Sequence, residues 1–404
     1  MSGTTDAPSD RGPAPLKFQH ATPAFRTFCG EDALAALPGQ LDRLKLRRAV
    51  IVCDPSIASR HAEALQRVES ALGERLVGRF DAVEPHSPVR TVLDAARVLE
   101  DQSADTVVVV GGGSSIVTAR GASIVVAEGS NLREFCTRRD EDGKFISPRL
   151  TAPKLQQWIV PTTPTTAYAK AGCALRDEAT GDRLALFDPK LRAQAIFLDP
   201  TLALTAPVPV TLGAALNAFA MAVEGLQSKL DDPLTEALLM HALRMLGDSI
   251  PRLVRQPEDD QTRLQLMLAS VLSGQGSDYV GGGLAQALSH ATGPRSTTSN
   301  GVVEALFLPH VIKYNAPVVK HGLDKVASAL GYAGGEADSG TEAAVAGVER
   351  VLEAAAVPRR LRDVGVDGDA LADIARHVLE DWTISRIPRT VTRDNVETLL
   401  GAAW

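Results

Sequence analysis

The chain has 404 residues, 45% of them apolar and 23% charged, with a formal net charge of −7. That length is enough for two ordinary domains with substantial cores. An acidic chain with no basic tail or aromatic-basic stripe is not built for nucleic acid or an anionic membrane surface, and no apolar run reaches the roughly 18 residues of a membrane span.

Residues 1–18 are polar, rich in Pro, Ser and Gly, and lack a hydrophobic signal core; a disordered lead is expected there. The four cysteines, Cys29, Cys53, Cys136 and Cys173, form no paired motif, which points to a reduced, cytoplasmic protein. "RRAVIVCD" (Arg47 to Asp54) has the pattern of a buried strand and is followed by a helix over Ala58 to Leu72. "ERLVGRFDAV" is a second strand, "VRTVLDAARVLED" a helix, "ADTVVVVGGG" a third strand, and Ser115 to Ala127 another helix. "QQWIVPTT" and "AQAIFLDP" are later strands. Helices alternating with continuously apolar strands imply a parallel sheet covered on both faces, a Rossmann-like α/β domain over 19–204.

From Leu202 the strand signal fades and helical patterns follow one another: 212–229, 233–246, 261–273, 284–291, 316–330, 341–355 and 370–379, with a last turn near 395–402. Residues 205–404 are therefore expected to be an all-helical domain. Asp199-Pro200 and Pro207 mark the boundary, and the active site belongs in the cleft between the two parts.

In "VVVVGGGSSIVTARG" a strand runs through Gly111, Gly112 and Gly113 into a helix opened by Ser114 and Ser115. Consecutive glycines let a ligand approach the backbone, and free N–H groups at a helix start attract phosphate. A tight turn alone would use the same residues, but the end of a parallel strand is where open α/β sheets bind ligands. Asp54 ends an earlier strand, where a carboxylate accepts from an adenosine ribose and repels a 2′-phosphate, favouring NAD(H) over NADP(H). It reads equally well as the start of a turn ahead of Pro55.

The ordered motifs "GGGSSIVTARG", "VPTTPTTAYAKAG", "LFDPKLRAQAIFLDPTL", "LNAFAMAVEG", "ALSHATGPRSTTSNG" and "FLPHVIKYN" resemble the iron-containing (group III) alcohol dehydrogenases, which share the dehydroquinate-synthase-like fold. The resemblance spans about residues 20–404. It implies a nucleotide-binding domain, a helical domain, a homodimer, and a nicotinamide meeting a small-molecule substrate beside a divalent metal. It also makes Thr162, Thr163 and Thr166 of the threonine-rich loop cofactor contacts. The family's metal ligands, an aspartate and three histidines, fall on Asn217, Met221, Gln286 and Asn300.

None of those four is a typical ligand for Zn²⁺ or Fe²⁺, which take deprotonated or imidazole donors, and none is anionic. No catalytic metal is expected. The glycine motif also has Val117 and Arg120 where the family usually has an acidic residue and a lysine. The following loop has Tyr168, Ala169 and Lys170 in place of a glycine-serine-glutamate run. The chain is most similar to the maleylacetate-reductase-like branch, described as working without metal. That branch has the "LNA" helix but keeps histidines that are absent here.

Without a Lewis acid, hydrogen-bond donors must polarise the substrate oxygen and deliver a proton. His290, at i+4 from Gln286, is the leading catalytic candidate, with Lys170 and Tyr168 beside it. Asn217, Met221, Gln286 and Asn300 are expected to shape the substrate pocket. Arg295 is expected to hold a substrate carboxylate, with Arg386 and Arg389 as alternatives. His310 is expected to be structural and His241 a helix-packing residue. The expected function is a metal-independent NAD(P)H-dependent reductase or dehydrogenase of a carbonyl or activated enoate, on an acidic substrate in one version. The alternative is a relative that has left redox chemistry, acting as a lyase, a cyclase or a non-catalytic binding protein.

Overall fold

The computed structural model describes residues 17–230, 232–332 and 340–404, so all but the last two residues of the expected N-terminal lead lie outside it. Six strands form one parallel sheet in the order β1-β10-β7-β4-β2-β3. They are β1 (Arg26–Cys29), β2 (Ala49–Cys53), β3 (Leu76–Phe80), β4 (Thr106–Gly111), β7 (Gln156–Pro161) and β10 (Ala193–Leu198). Side chains alternate across β4: Val107 and Val109 face one apolar layer, Val108 and Val110 the other. This two-sided burial explains why β2 and β4 read as unbroken apolar runs.

Helices α1 (Leu37–Arg43), α2 (Pro55–Arg60) and α3 (Ala62–Leu72) accompany α4 (Val89–Asp101) and α5 (Gly113–Glu128). The single helix expected over 58–72 is two, broken at His61, because Asp54 caps α2 and starts it at Pro55. The edge strand β1 gave no alternating signal, since its side chains are almost all exposed. Two antiparallel pairs also escaped the sequence: the short β5 (Arg138–Arg139) with β6 (Phe145–Ile146), and β8 (Gly172–Arg176) with β9 (Arg183–Phe187).

The second half is helical, as expected: α6 (Pro200–Ala203), α7 (Val208–Gly225), α8 (Pro233–Arg255), α9 (Asp260–Val280), α10 (Leu284–Thr292), α11 (Asn300–Asn315), α12 (Lys320–Ala329), α13 (Gly340–Ala354), α14 (Leu371–Glu380) and α15 (Arg393–Ala403). Helix α11 was missed because Pro309 interrupts its pattern, yet Pro309 sits inside it. Helix α7 corrects the reading that no run is long enough to span a membrane: its 18 residues have mean hydropathy 1.3. Its apolar side chains lie instead in the centre of the helical core with Leu239, Leu243, Val303 and Phe307, which is where an all-round apolar helix belongs.

The halves are tied at several points. His20 Nδ1 meets Asp232 at 2.7 Å, Arg192 meets Asp278 at 2.5 Å, and the Arg139 guanidinium donates to the Leu379 carbonyl at 3.1 Å.

Candidate active site

The glycine turn forms as its sequence demands. Gly111 has φ +150°, and a Cβ there would stand 2.4 Å from Ser115 Oγ and 3.6 Å from Asp54 Oδ2. A Cβ on Gly112 would stand 2.8 Å from Thr163 Oγ1, so the turn is packed from both sides. Thr162 adds a backbone hydrogen bond to the Gly111 carbonyl at 3.1 Å. No side chain caps α5, and its first N–H groups are left at the C-terminal end of the sheet, where a diphosphate fits. Asp54 starts the turn ahead of Pro55. Oδ1 accepts from the Ser56 and Ile57 N–H groups at 2.9 and 3.3 Å, capping α2, while Oδ2 stays beside the glycine turn.

The loop after β7 is clamped from all sides. The Arg120 guanidinium, 1% exposed, donates to the Ala167 and Gly172 carbonyls at 2.7 and 3.1 Å and to Gln157 Oε1 at 3.2 Å. Arg192 donates to the Ala169 carbonyl at 2.9 Å. Helix α9 closes on Thr166, whose carbonyl would be 2.6 Å from a Cβ on Gly274. Tyr168 belongs to this clamp: it is fully buried and its hydroxyl donates to the Thr163 carbonyl. Burial also pushes its ionisation up, so Tyr168 is a structural residue, which corrects its expected catalytic place. Lys170 is only half-buried, and its ammonium has no hydrogen-bond or ion-pair partner among the described residues.

Across the cleft, α7 and α11 approach so closely that a Cβ on Gly301 would lie 1.9 Å from the Gly213 carbonyl oxygen. This contact brings Asn217 onto Glu304, with Asn217 Nδ2 donating to Glu304 Oε2 at 2.6 Å. Glu304 is fully buried and its Oε1 has no partner. Burial, and after it the neighbouring Glu224 carboxylate, raise its pKa well above the usual carboxylate range. An anionic residue type therefore does remain beside the family's metal positions, contrary to the sequence reading. Two turns further along α7, Glu224 caps α10, accepting from the Ala285 and Gln286 N–H groups at 2.7 and 3.1 Å. Burial raises its carboxyl to about 7 against these donors.

Helix α10, fixed in this way, presents His290. Its Nδ1 lies 2.8 Å from Asp381 Oδ2, and Asp381 Oδ1 accepts from the Thr383 N–H and hydroxyl at 2.8 and 2.7 Å. Burial works against ionised Asp381, but the His290 and Thr383 contacts outweigh it and lower the carboxyl to about 2. Burial, reinforced by the Arg183 guanidinium, moves His290 below its ordinary value. A neutral imidazole donating Nδ1–H to Asp381 leaves Nε2 as the acceptor.

Several expectations need correcting. Arg295 donates to the Ala291 carbonyl at 2.8 Å and forms an ion pair with Asp373, so its guanidinium is already engaged and is no free carboxylate fork. Arg389 is held on Tyr314, and Arg386 packs over Gly281. His241 is exposed beside Arg244 rather than packed between helices. Met221 is buried, Gln286 Oε1 is a buried acceptor without a partner, and Asn300 Oδ1 rests against Gly293. Among the described residues no group of three or more His, Cys, Asp or Glu side chains gathers to hold an ion.

Asp381, Glu304, Glu224 and Arg183 were not found from sequence. Glu304 had a signal, as the one charge in "GVVEALFLPHVI" and one turn from Asn300. Asp381 had only the weak capping pattern "DWT".

Two family models match the chain: iron-containing alcohol dehydrogenase over residues 23–200, and the C-terminal model of the Fe-containing alcohol dehydrogenase family over residues 211–404. Maleylacetate reductase 1 of Cupriavidus pinatubonensis is 27% identical, the match covering 94% of this chain and 95% of that protein. Lactaldehyde reductase of Escherichia coli is 26% identical, over 93% of this chain and 97% of its own length. The solved alcohol dehydrogenase from Oenococcus oeni has the same fold, with a TM-score of 0.85 at 22% identity, covering 94% of this chain and 98% of that one.

Proposed function

This chain belongs to the iron-containing alcohol dehydrogenase family, and we propose that within this family of oxidoreductases it is a metal-independent, NAD(H)-dependent enzyme. It interconverts a carbonyl or activated enoate with its reduced form. The observation that carries the reading is the Asp381–His290 pair, built into a cleft whose four inherited ligand positions hold two carboxamides of asparagine, one of glutamine and a thioether.

The donor set does not suit a divalent ion. Hard and borderline ions need charged oxygen, thiolate or imidazole donors. Glu304 is hydrogen-bonded to Asn217, and burial raises its pKa well above the ordinary value, which opposes the anionic form an ion needs.

The dinucleotide has a fitting cradle. Gly111, Gly112 and Gly113 with Ser114 and Ser115 take its diphosphate at the uncapped start of α5. Thr162 and Thr163 back that turn, Thr166 follows on the same loop, and Asp54 Oδ2 beside Gly111 favours a ribose hydroxyl over a 2′-phosphate. When bound, the nicotinamide supplies or accepts the hydride.

His290 moves the proton. In the oxidative direction its Nε2 accepts the hydroxyl proton while Asp381 stabilises the imidazolium through Nδ1–H, and in the reductive direction the same nitrogen returns it. Asn217, Gln286 and Asn300 line the substrate side with amide groups that orient the oxygen. A homodimer in the cytoplasm belongs to the same proposal.

Titration with NADH and NADPH separately, followed by nicotinamide fluorescence and thermal shift, tests the cofactor, with NADH expected to bind more tightly. Binding of neither would sink the redox reading and leave a lyase, cyclase or binding protein reusing the cleft. Elemental analysis after chelation tests the metal. Turnover should survive removal of Zn²⁺ and Fe²⁺, and stoichiometric, activity-restoring metal would overturn that part.

A further inference from the structure

Gly281, Gly282 and Gly283 join α9 to α10 under tight packing. A Cβ on Gly281 would stand 2.7 Å from Arg386 Cγ, and one on Gly283 would stand 2.3 Å from Glu224 Oε1. Beside this run lies a cavity of about 10 Å³, with Glu224, Ser228, Asn315 and Arg386 in its lining. That volume is close to the room one water-sized particle needs, so the lining groups face a single occupant.

Three helix ends converge there. Gly225, Val280 and Asn315 are the last residues of α7, α9 and α11, and all three line the cavity. Each helix brings the negative end of its dipole, which favours a cation. The start of α10 also reaches the cavity, but its N–H groups are taken up by Glu224.

The side chains agree in sign. Gln227 Nε2 donates to the Val223 carbonyl at 3.0 Å, so its Oε1 is the atom turned to Asn315, whose Nδ2 donates to it at 3.0 Å. The amide of Asn315 therefore has one orientation, and its Oδ1 is left without a partner in a residue only 2% exposed. The carbonyls of Val280, Gly281 and Gly282 accept no hydrogen bond among the described residues. Glu224 has backbone N–H partners and no ion pair among the described residues. Arg386 covers Gly281 with its stem and is itself exposed, so its charge stays hydrated. Buried acceptors without donors are costly, and here they surround one small space.

We propose that this cavity binds a monovalent cation of about the size of a water molecule, K⁺ or NH₄⁺, through the Glu224 carboxylate, Asn315 Oδ1 and the free carbonyls of the α9–α10 turn. One carboxylate among neutral oxygens supplies too little charge to offset the dehydration of a divalent ion. The lining includes none of Asn217, Met221, Gln286 and Asn300, so the site is separate from the family's metal positions and does not depend on the reductase reading. Its occupant holds Glu224 as the anion that caps α10, the helix carrying His290.

The test uses the full chain exchanged into tetramethylammonium chloride, whose cation is too large for the cavity. KCl or NH₄Cl is then titrated in at constant ionic strength, with thermal shift and calorimetry as readouts. Saturable stabilisation by K⁺ or NH₄⁺ is expected, together with slower amide exchange over 284–288. Asn315→Leu should weaken K⁺ binding about tenfold or more, the worth of a lost contact to a charge, whereas Asn315→Asp should keep or strengthen it. Glu224→Gln should abolish it.

Because loss of Glu224 also removes a cap, crystals of the unaltered protein soaked in rubidium chloride give a direct reading. An anomalous peak between Glu224 and Asn315 is expected. A water there in place of rubidium, or equal stability in all of the chlorides, overturns the proposal.

Discussion

Replacing Glu304 by glutamine isolates the energetic consequence of a carboxyl built into the helical core. In the wild type the side chain is fully buried, accepts one hydrogen bond from Asn217 Nδ2 at 2.6 Å, and leaves Oε1 without a partner. Burial and the nearby Glu224 carboxylate raise its pKa well above the ordinary 4.5. A raised folded-state pKa means that the native protein holds this proton more tightly than the unfolded chain. Its contribution is fully present below pH 4.5 and is lost as pH rises toward the folded value.

The loss is about 1.4 kcal/mol for each pH unit across that window. Glutamine has nearly the same shape, still accepts from Asn217, and carries no charge to desolvate. Glu304→Gln is therefore expected to be more stable than the wild type at pH 7 and above, and the gap should shrink toward zero as pH approaches 4.5. Chemical denaturation of both proteins at half-unit pH steps from 5 to 8.5 measures it. Glu224, whose charge adds to the Glu304 shift, is coupled to it, so the difference reports the pair. Parallel curves, with a gap that does not depend on pH, would refute the picture of a proton trapped on Glu304.

Asp381→Asn removes the partner that fixes His290. The carboxyl is lowered to about 2 by His290 and Thr383, so the variant should be less stable than the wild type at neutral pH. That contribution vanishes as pH falls from 3.8 toward 2. The same variant should lower kcat far more than NADH affinity, read by initial rates beside cofactor titration. Gly112→Ala sets a methyl group 2.8 Å from Thr163 Oγ1; a weaker NADH affinity by dinucleotide fluorescence is expected, and unchanged affinity would show that the turn does not cradle the cofactor. Arg120→Met orphans the Ala167 and Gly172 carbonyls. It should cost about 3 kcal/mol or more and loosen the Lys170 loop, visible as faster amide exchange over 166–172.

The alternation of apolar strands with amphipathic helices fixed the parallel sheet, because a strand buried on both faces must be apolar at every position, as in "AVIVC" and "TVVVVG". The glycine turn was equally readable, since only glycine tolerates both the positive φ of Gly111 and the packing of Ser115 and Thr163 against it. The resemblance pointed to Asn217, Met221, Gln286 and Asn300 as the ligand positions, and residue chemistry showed only that none is a typical metal donor.

What the tertiary structure decided is which polar groups meet. Asp381 reaches His290 across 91 positions of chain and Asn217 meets Glu304 across 87, distances over which no local pattern carries information. The same holds for the groups removed from the site. Tyr168 and Arg295 looked available because both are polar residues on loops, yet the clamp under α9 hides one and Asp373 takes the other. The hairpin β8–β9 gave no signal, because its two short strands bury only alternate residues. Periodicity is written locally because each helix or strand must bury its own face. The charge balance of a cleft is the sum over elements brought together only by folding.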